Sequence, residues 1–162
     1  MKMHIAVIKS PIGYLKLEAS EIGLKSCSIL SEKEAMSCVN CGLSPFLEDV
    51  IEQLQDYFKG DRETFEIEFD LEGTDFQKRV WNALTTIPFG KTISYSEFAL
   101  QLGDLKAIRA VASANGKNPI GIIIPCHRVI GSDGSLTGFA WGIDKKQWLL
   151  EHESNYRQLS LF

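Results

Sequence analysis

Of the four cysteines in this 162-residue chain, Cys126 alone sits among groups that could make it a nucleophile. It follows the apolar run from Ile120 to Ile124 and Pro125, and it is followed at once by His127 and Arg128. A thiol attacks carbon only as the thiolate, which imidazole or cationic neighbours favour. Pro125 predicts an extended approach, in which adjacent side chains point apart. Adjacency therefore leaves two readings open: a reactive Cys126, or an inert buried thiol beside a structural His127. Cys27 falls in a predicted strand and reads as a small buried apolar residue. Cys38 and Cys41 have the spacing of half a zinc site, but no second pair and no nearby His completes it, so they read as part of a polar surface loop.

Whatever Cys126 does, the rest of the chain must position it. Residues 4–8 and 14–18 alternate apolar and polar side chains around Ser10-Pro11-Ile12-Gly13, predicting two strands and a turn, with a third strand from Gly23 to Leu30. Ser44 and Pro45 predict a helix start, Phe46, Val50, Leu54, Tyr57 and Phe58 its apolar face, and Gly60 its end. Residues 63–70 alternate again and predict a half-buried strand. Around Glu72 to Asp75 the pattern changes to helix. Thr74 with Gln77 predicts a capping box for a helix carrying Phe76, Val80, Trp81 and Leu84. Ser94 or Ser96 opens a short helix ending at Gly103, and a second runs from about Leu105 to Ala114, which is the outline of a helix-turn-helix. The Gly-rich stretch from Gly131 to Gly142 predicts a mobile loop. Asp144 with Gln147 predicts another capping box for a last helix with Trp148, Leu149 and Leu150.

Composition narrows the class. With 44% hydrophobic and 23% charged residues, the sequence is neither disordered nor a disulfide scaffold, and no apolar run is long enough to span a bilayer. The expected protein is soluble and cytoplasmic. Its net charge of −4 hides an asymmetry. Up to Glu72 seven Lys and Arg face fourteen Asp and Glu; from Gly73 onward ten face seven. An acidic first lobe and a mildly basic second one are compatible with nucleic-acid contact by the second.

Ile124-Pro125-Cys126-His127-Arg128-Val129 resembles the active-site signature of the O6-alkylguanine-DNA alkyltransferases, the methylated-DNA–protein-cysteine methyltransferases. Phe76 to Trp81, Ile93-Ser94-Tyr95, Arg109-Ala110-Val111, Asn118-Pro119, and Trp148-Leu149-Leu150 followed by Glu153 resemble family motifs in the same order, as does the turn Ser10 to Gly13. The resemblance implies an α+β fold: a ribonuclease H-like lobe over residues 1–72, then a mainly helical DNA-binding and alkyl-transfer domain over 73–157. It implies direct, single-turnover transfer of an alkyl group from O6 of guanine, and from O4-methylthymine, in double-stranded DNA to Cys126, by a monomer without a cofactor. By the same resemblance His127 acts through a water as base, Glu153 orients the imidazole and favours its cation, and Asn118 holds the turn around Cys126. Tyr95 supplies a proton or hydrogen bond to the departing base. Arg109 enters the base stack, while Ser94, Tyr95, Ser96, Asp104, Lys106, Ala107, Ala110 and Ser132 face DNA. Val129, Phe139, Ala140 and Trp141 line the pocket.

Trp141 stands where many relatives carry Gly, and a bulky indole there predicts good handling of methyl and poor handling of benzyl-sized adducts. The zinc-ligand spacing of some relatives is not reproduced around Ser20 and Lys25, so no metal is expected. A second reading, a damage-recognition protein without turnover, resembles a branch that replaces the nucleophile, and Cys126 argues against it. The final residues, Gln158-Leu159-Ser160-Leu161-Phe162, resemble the peptide that docks bacterial proteins on the sliding clamp, with Gln158, Leu159, Leu161 and Phe162 as anchors.

Overall fold

Alternation of apolar and polar residues shapes the first seventy residues of this computed structural model, which describes residues 3–38, 43–136 and 138–159. β1 (His4–Ser10), β2 (Gly13–Ala19) and β3 (Leu24–Leu30) form an antiparallel sheet in chain order. Ser10 pairs with Gly13 across the first turn, and Leu15 faces Ile8 and Ile29. Gly13 has φ +124°, where a side chain would be strained, so glycine suits this turn. Leu15, Leu17 and Ala19, alternate residues of β2, are fully buried.

A short helix that periodicity missed, α1 (Glu32–Ser37), follows a capping box between Ser31 and Glu34. α2 (Pro45–Lys59) starts and stops as its sequence predicts, with Ser44 accepting from the Leu47 amide and Gly60 in the left-handed region. Its buried Leu47, Val50, Leu54 and Tyr57 contribute about 1.5–3 kcal/mol each through removal from water.

The expected strand over 63–70 does not form. Only Phe69 bridges to Leu24. Farther up, the buried Gln53 of α2 replaces a neighbouring strand: its Nε2 donates to the Glu66 carbonyl at 3.1 Å, and its Oε1 accepts from the Glu66 amide at 2.9 Å. One side-chain amide thus satisfies backbone that alternation alone assigned to a ladder.

The chain divides into two units, the first comprising Met1–Glu72 and Pro119–Gly121, the second Gly73–Asn118 and Ile122–Phe162. Pro119–Gly121 belong with the first because Cys27 donates to the Pro119 carbonyl at 2.9 Å and accepts from the Gly121 amide at 3.1 Å.

In the second unit α3 (Asp75–Leu84) starts at the Thr74–Gln77 capping box and buries Val80, Trp81 and Leu84. β4 (Ile93–Ser94) leads directly into α4 (Tyr95–Gln101), capped by Ser94. Gly103, at φ +98°, turns the chain toward the second helix. That helix was expected from Leu105. Instead the Asp104 carboxylate caps a 3₁₀ turn, Leu105–Ala107, by accepting from the Lys106 amide at 2.8 Å, and α5 (Ile108–Gly116) follows. The Trp81 indole donates to the Ala114 carbonyl at 2.8 Å and so ties α5 to α3.

β5 (Val129–Ile130) pairs in parallel with β4, setting Ile93 opposite Val129. The last helix, α6 (Ile143–Leu159), begins one residue before the expected cap Asp144. The Lys146 amide returns to the Gly142 carbonyl at 3.2 Å, so Gly142 is the boundary and Asp144 lies within the first turn, where its charge favours the helix N-terminus. The backbone of Gln158 and Leu159 is part of α6, not of a free tail. Leu161 and Phe162, with Ser160, lie outside the described residues, as does Cys41. No helix among the described residues is long and apolar enough to cross a membrane.

Candidate active site

Pro125 does not lead into an extended segment. The Arg128 amide donates to the Pro125 carbonyl at 3.0 Å and the Val129 amide to that of Cys126, closing a single 3₁₀ turn, Cys126–Arg128. All three side chains are buried. Because β5 follows this turn and β4 precedes Tyr95, the parallel pairing of two short strands brings the start of α4 to the same place. Ile122, fully buried, holds φ +70°, a conformation that costs a β-branched residue about 1–3 kcal/mol and is fixed only by its surroundings. Asn118 braces the far side of the loop, its Nδ2 donating to the Ile124 carbonyl at 2.7 Å, and its side chain also hydrogen-bonds the Cys126 thiol. Burial pushes that thiol above its ordinary value, and the Asn118 bond and the Lys146 charge offset only part of the rise.

Next to the thiol stands a buried ionic cluster. Glu153 of α6 meets His127 Nε2 at 2.7 Å through Oε2, and accepts from Arg128 Nε at 2.8 Å and Nη2 at 3.0 Å. Arg128 Nη1 donates to the Ile87 carbonyl at 2.6 Å. Burial alone would raise the Glu153 carboxyl, but His127 and Arg128 together hold it well below the carboxylate range. An ionised carboxylate only accepts, so Nε2 of His127 carries the hydrogen and Nδ1 the lone pair. Nδ1 is buried and has no hydrogen-bond partner among the described residues. Burial also depresses the imidazole below its ordinary value, against the pull of Glu153. As the resemblance implies, the Glu153 carboxylate favours the imidazolium, while desolvation opposes it and leaves the imidazole below its ordinary value.

Two residues at this site escaped the sequence reading. Lys146 is fully buried, with Nζ 5.8 Å from the centre of the Tyr95 ring. Burial lowers its pKa while Cys126 opposes the fall. Its signal was present, because Lys146, Leu149 and Glu153 follow the spacing of one helix face and all three are buried. Asn115, on α5, is also buried; its Nδ2 donates to the Tyr95 hydroxyl at 3.3 Å and to the Cys126 carbonyl at 3.4 Å. The sequence reading ended the second helix at about Ala114, so Asn115 was given no role, whereas α5 runs on to Gly116.

The residues expected to face DNA are distributed differently. Asp104, Lys106, Arg109 and Ala110 are exposed along the 3₁₀ turn and the start of α5, with Ala107 half-buried between them. Ser94 is engaged as the α4 cap, accepting from the Glu97 amide at 3.1 Å. Ser96 and Ser132 hydroxyls meet at 2.9 Å, joining α4 to the loop after β5. At the start of that loop the Gly131 amide donates to the Ser135 carbonyl at 2.8 Å and the Gly134 amide to that of Gly131 at 2.9 Å. Among the expected pocket residues Val129 is fully buried, Ala140 is exposed, and the half-buried Phe139 and Trp141 rings meet edge to face at 5.9 Å.

Residues 75–155 match the family described as 6-O-methylguanine DNA methyltransferase, DNA binding domain, and residues 3–71 match its ribonuclease-like domain. The chain belongs to this family. A Methanosarcina barkeri relative named methylated-DNA–protein-cysteine methyltransferase is 47% identical over 155 residues, covering 94% of this chain and 98% of its own. The crystal structure of the Mycobacterium tuberculosis O6-methylguanine methyltransferase is 44% identical, covers 96% of this chain and 94% of its own, and superimposes with a TM-score of 0.83. Another, of the Mycobacterium tuberculosis OGT in complex with DNA, gives 47% identity, 93% and 92% coverage, and a TM-score of 0.81. Like those relatives, this methyltransferase-family chain is α+β, with a small antiparallel sheet and a helix-rich second unit. Among its described residues no group of three or more His, Cys, Asp or Glu side chains could hold a metal ion.

Proposed function

We propose that this family member repairs DNA by moving a methyl or other small alkyl group from O6 of guanine, or O4 of thymine, onto Sγ of Cys126. The observation that carries the reading is the buried His127, whose Nε2 is fixed by Glu153 and whose Nδ1 has no partner among the described residues, one residue from the thiol. In the reaction the thiol proton passes through a water to Nδ1, the S–C bond forms as the C–O6 bond breaks, and the cationic imidazole is stabilised by Glu153. Tyr95 donates to the ring nitrogen of the departing base, so that it leaves less negative. The thioether is stable, so each molecule acts once and no cofactor takes part. Arg109 and the exposed start of α5 approach the duplex and Arg109 fills the stack when the base is extruded, since a base inside a duplex cannot reach a buried thiol. One chain carries the whole site, which suits a monomer acting in the cytoplasm.

The deciding measurement is mass spectrometry after mixing with duplex DNA containing O6-methylguanine. The peptide with Cys126 gains one methylene equivalent in wild type and nothing in Cys126→Ala, which still binds the DNA. No mass gain in wild type would favour damage recognition without transfer, and a gain on another peptide would take the acceptor role from Cys126. The same assay tests the tail: truncation after Arg157 leaves the mass gain intact and removes binding to a bacterial sliding clamp, and unchanged clamp binding would sink that part. Trp141, packed on Phe139, is expected to narrow the pocket. Trp141→Gly should therefore react about tenfold or more faster than wild type with O6-benzylguanine and similarly with methylated DNA, in line with the modest discrimination a pocket wall provides. Equal rates with the benzyl compound would remove Trp141 from the pocket.

A further inference from the structure

The buried amide of Asn115 touches both partners of the reaction and is itself only half satisfied. Nδ2 donates to the Tyr95 hydroxyl at 3.3 Å and to the Cys126 carbonyl at 3.4 Å, while Oδ1, buried, has no partner among the described residues. The orientation of the amide is decided by chemistry. The Cys126 carbonyl can only accept, so the nitrogen must face it. The same nitrogen then faces Tyr95, whose oxygen must accept. Were the amide turned over, the phenol would spend its proton on Oδ1.

We propose that Asn115 is a positioning residue that aims the Tyr95 proton at the leaving base, using the Cys126 backbone as its reference point. The inference rests on the reading of Tyr95 as donor and adds how that donor is set. Because the Tyr95 oxygen is occupied as an acceptor, its O–H is directed away from Asn115. Because the other contact is to the carbonyl of the nucleophile's own residue, donor and nucleophile are held in one register. The Cys126 carbonyl is anchored in turn by the Val129 amide within the 3₁₀ turn. Both Asn115 contacts are long, as hydrogen bonds in free enzymes often are before substrate tightens them. The accepted bond also acts in the useful electronic direction: burial raises the Tyr95 pKa and the Asn115 bond opposes that rise, making the phenol a better donor. An amide kept only for packing has no reason to leave its oxygen buried and unpaired, since such a group destabilises the fold.

Substitution supplies the test. Asn115→Leu removes the amide and keeps a branched side chain, with added bulk at a buried position. It is expected to transfer methyl about tenfold more slowly at saturating DNA, with the half-saturating DNA concentration unchanged. In a Tyr95→Phe background the same substitution is expected to slow transfer no further. Asn115→Ala, which also deletes the amide, gives the same pattern should the Leu variant fail to fold. Wild-type rates in both Asn115 variants, or an undiminished further slowing in Tyr95→Phe, would overturn the proposal. The outcomes separate the two layers. Slow Tyr95→Phe with fast Asn115→Leu removes Asn115 alone, whereas a Tyr95→Phe variant as fast as wild type removes the donor reading and this inference with it.

Discussion

Glu153→Gln is expected to lower stability by about 3–5 kcal/mol, because it leaves the Arg128 guanidinium and the His127 N–H buried without their anion. For a chain of this length that corresponds to a fall in Tm of about 6–20 °C, read by calorimetry or circular dichroism. The substitution keeps shape and changes charge, so packing loss is a poor alternative explanation. Transfer at saturating DNA is expected to slow at least about a hundredfold, since the imidazole loses the acceptor that fixes its tautomer. A second variant separates fold from chemistry. Replacing both partners, Arg128→Met with Glu153→Leu, removes the buried charges together and should recover part of the lost stability while transfer stays slow. Acid gives an independent check. The Glu153 carboxyl is held below its ordinary 4.5, so its contribution to wild-type stability is fully present above that pH and is lost as the pH falls toward the folded value. The gap between wild type and Glu153→Gln should therefore be constant at neutral pH and close below about pH 4.5. A variant melting with wild type at pH 7 would show that the cluster is not the buried ionic unit the geometry describes.

How much of this was legible in the chain depends on where each interaction is encoded. Local signals read true: Ser44 and Gly60 bound α2, and Thr74 with Gln77 starts α3, because caps are satisfied within a few residues. The family resemblance named Cys126, His127, Glu153, Asn118 and Tyr95, and the structure gathers them by pairing β4 with β5 and running α6 past the turn. Failures came where one side chain from a distant element decides the outcome. Gln53 satisfies the Glu66 backbone and leaves residues 63–70 without a ladder, which no alternation count could show. Asp104 diverts the start of the second helix of the pair into a 3₁₀ turn. Asn115 lies past the expected end of the second helix, and only the tertiary fold shows that it is buried at the site, whereas Lys146 shares the helix-face spacing of Leu149 and Glu153 and was passed over. The charge state of His127 was unreadable for the same reason. Glu153 is visible in the sequence as a partner, whereas desolvation belongs to the assembled fold.

That desolvation makes the strongest prediction about pH. Burial holds His127 below its ordinary 6.5 and Cys126 above its ordinary 9.0, so between those values the resting pair is a neutral imidazole and an intact thiol. The rate of transfer is then expected to be flat from about pH 6.5 to 9.0, since neither group changes state. Below His127's depressed value a proton occupies Nδ1, the imidazole cannot receive the thiol proton, and the rate should fall about tenfold per pH unit. Stability follows the same two limits with opposite causes. As the pH falls below 6.5 the unfolded chain binds a proton at His127 that the folded one refuses, so stability declines. As it rises past 9.0 the unfolded chain releases the Cys126 proton that the folded one retains, which lowers stability, while Lys146, held below its ordinary 10.5, contributes in the opposite direction. Single-turnover rates measured across this range should therefore show a plateau. A rate that instead climbs about tenfold per unit from pH 6.5 to 9.0 would mean that solvent hydroxide makes the thiolate, as it would for an exposed cysteine. In that event His127 would not be the base, and Glu153 would serve only to neutralise Arg128.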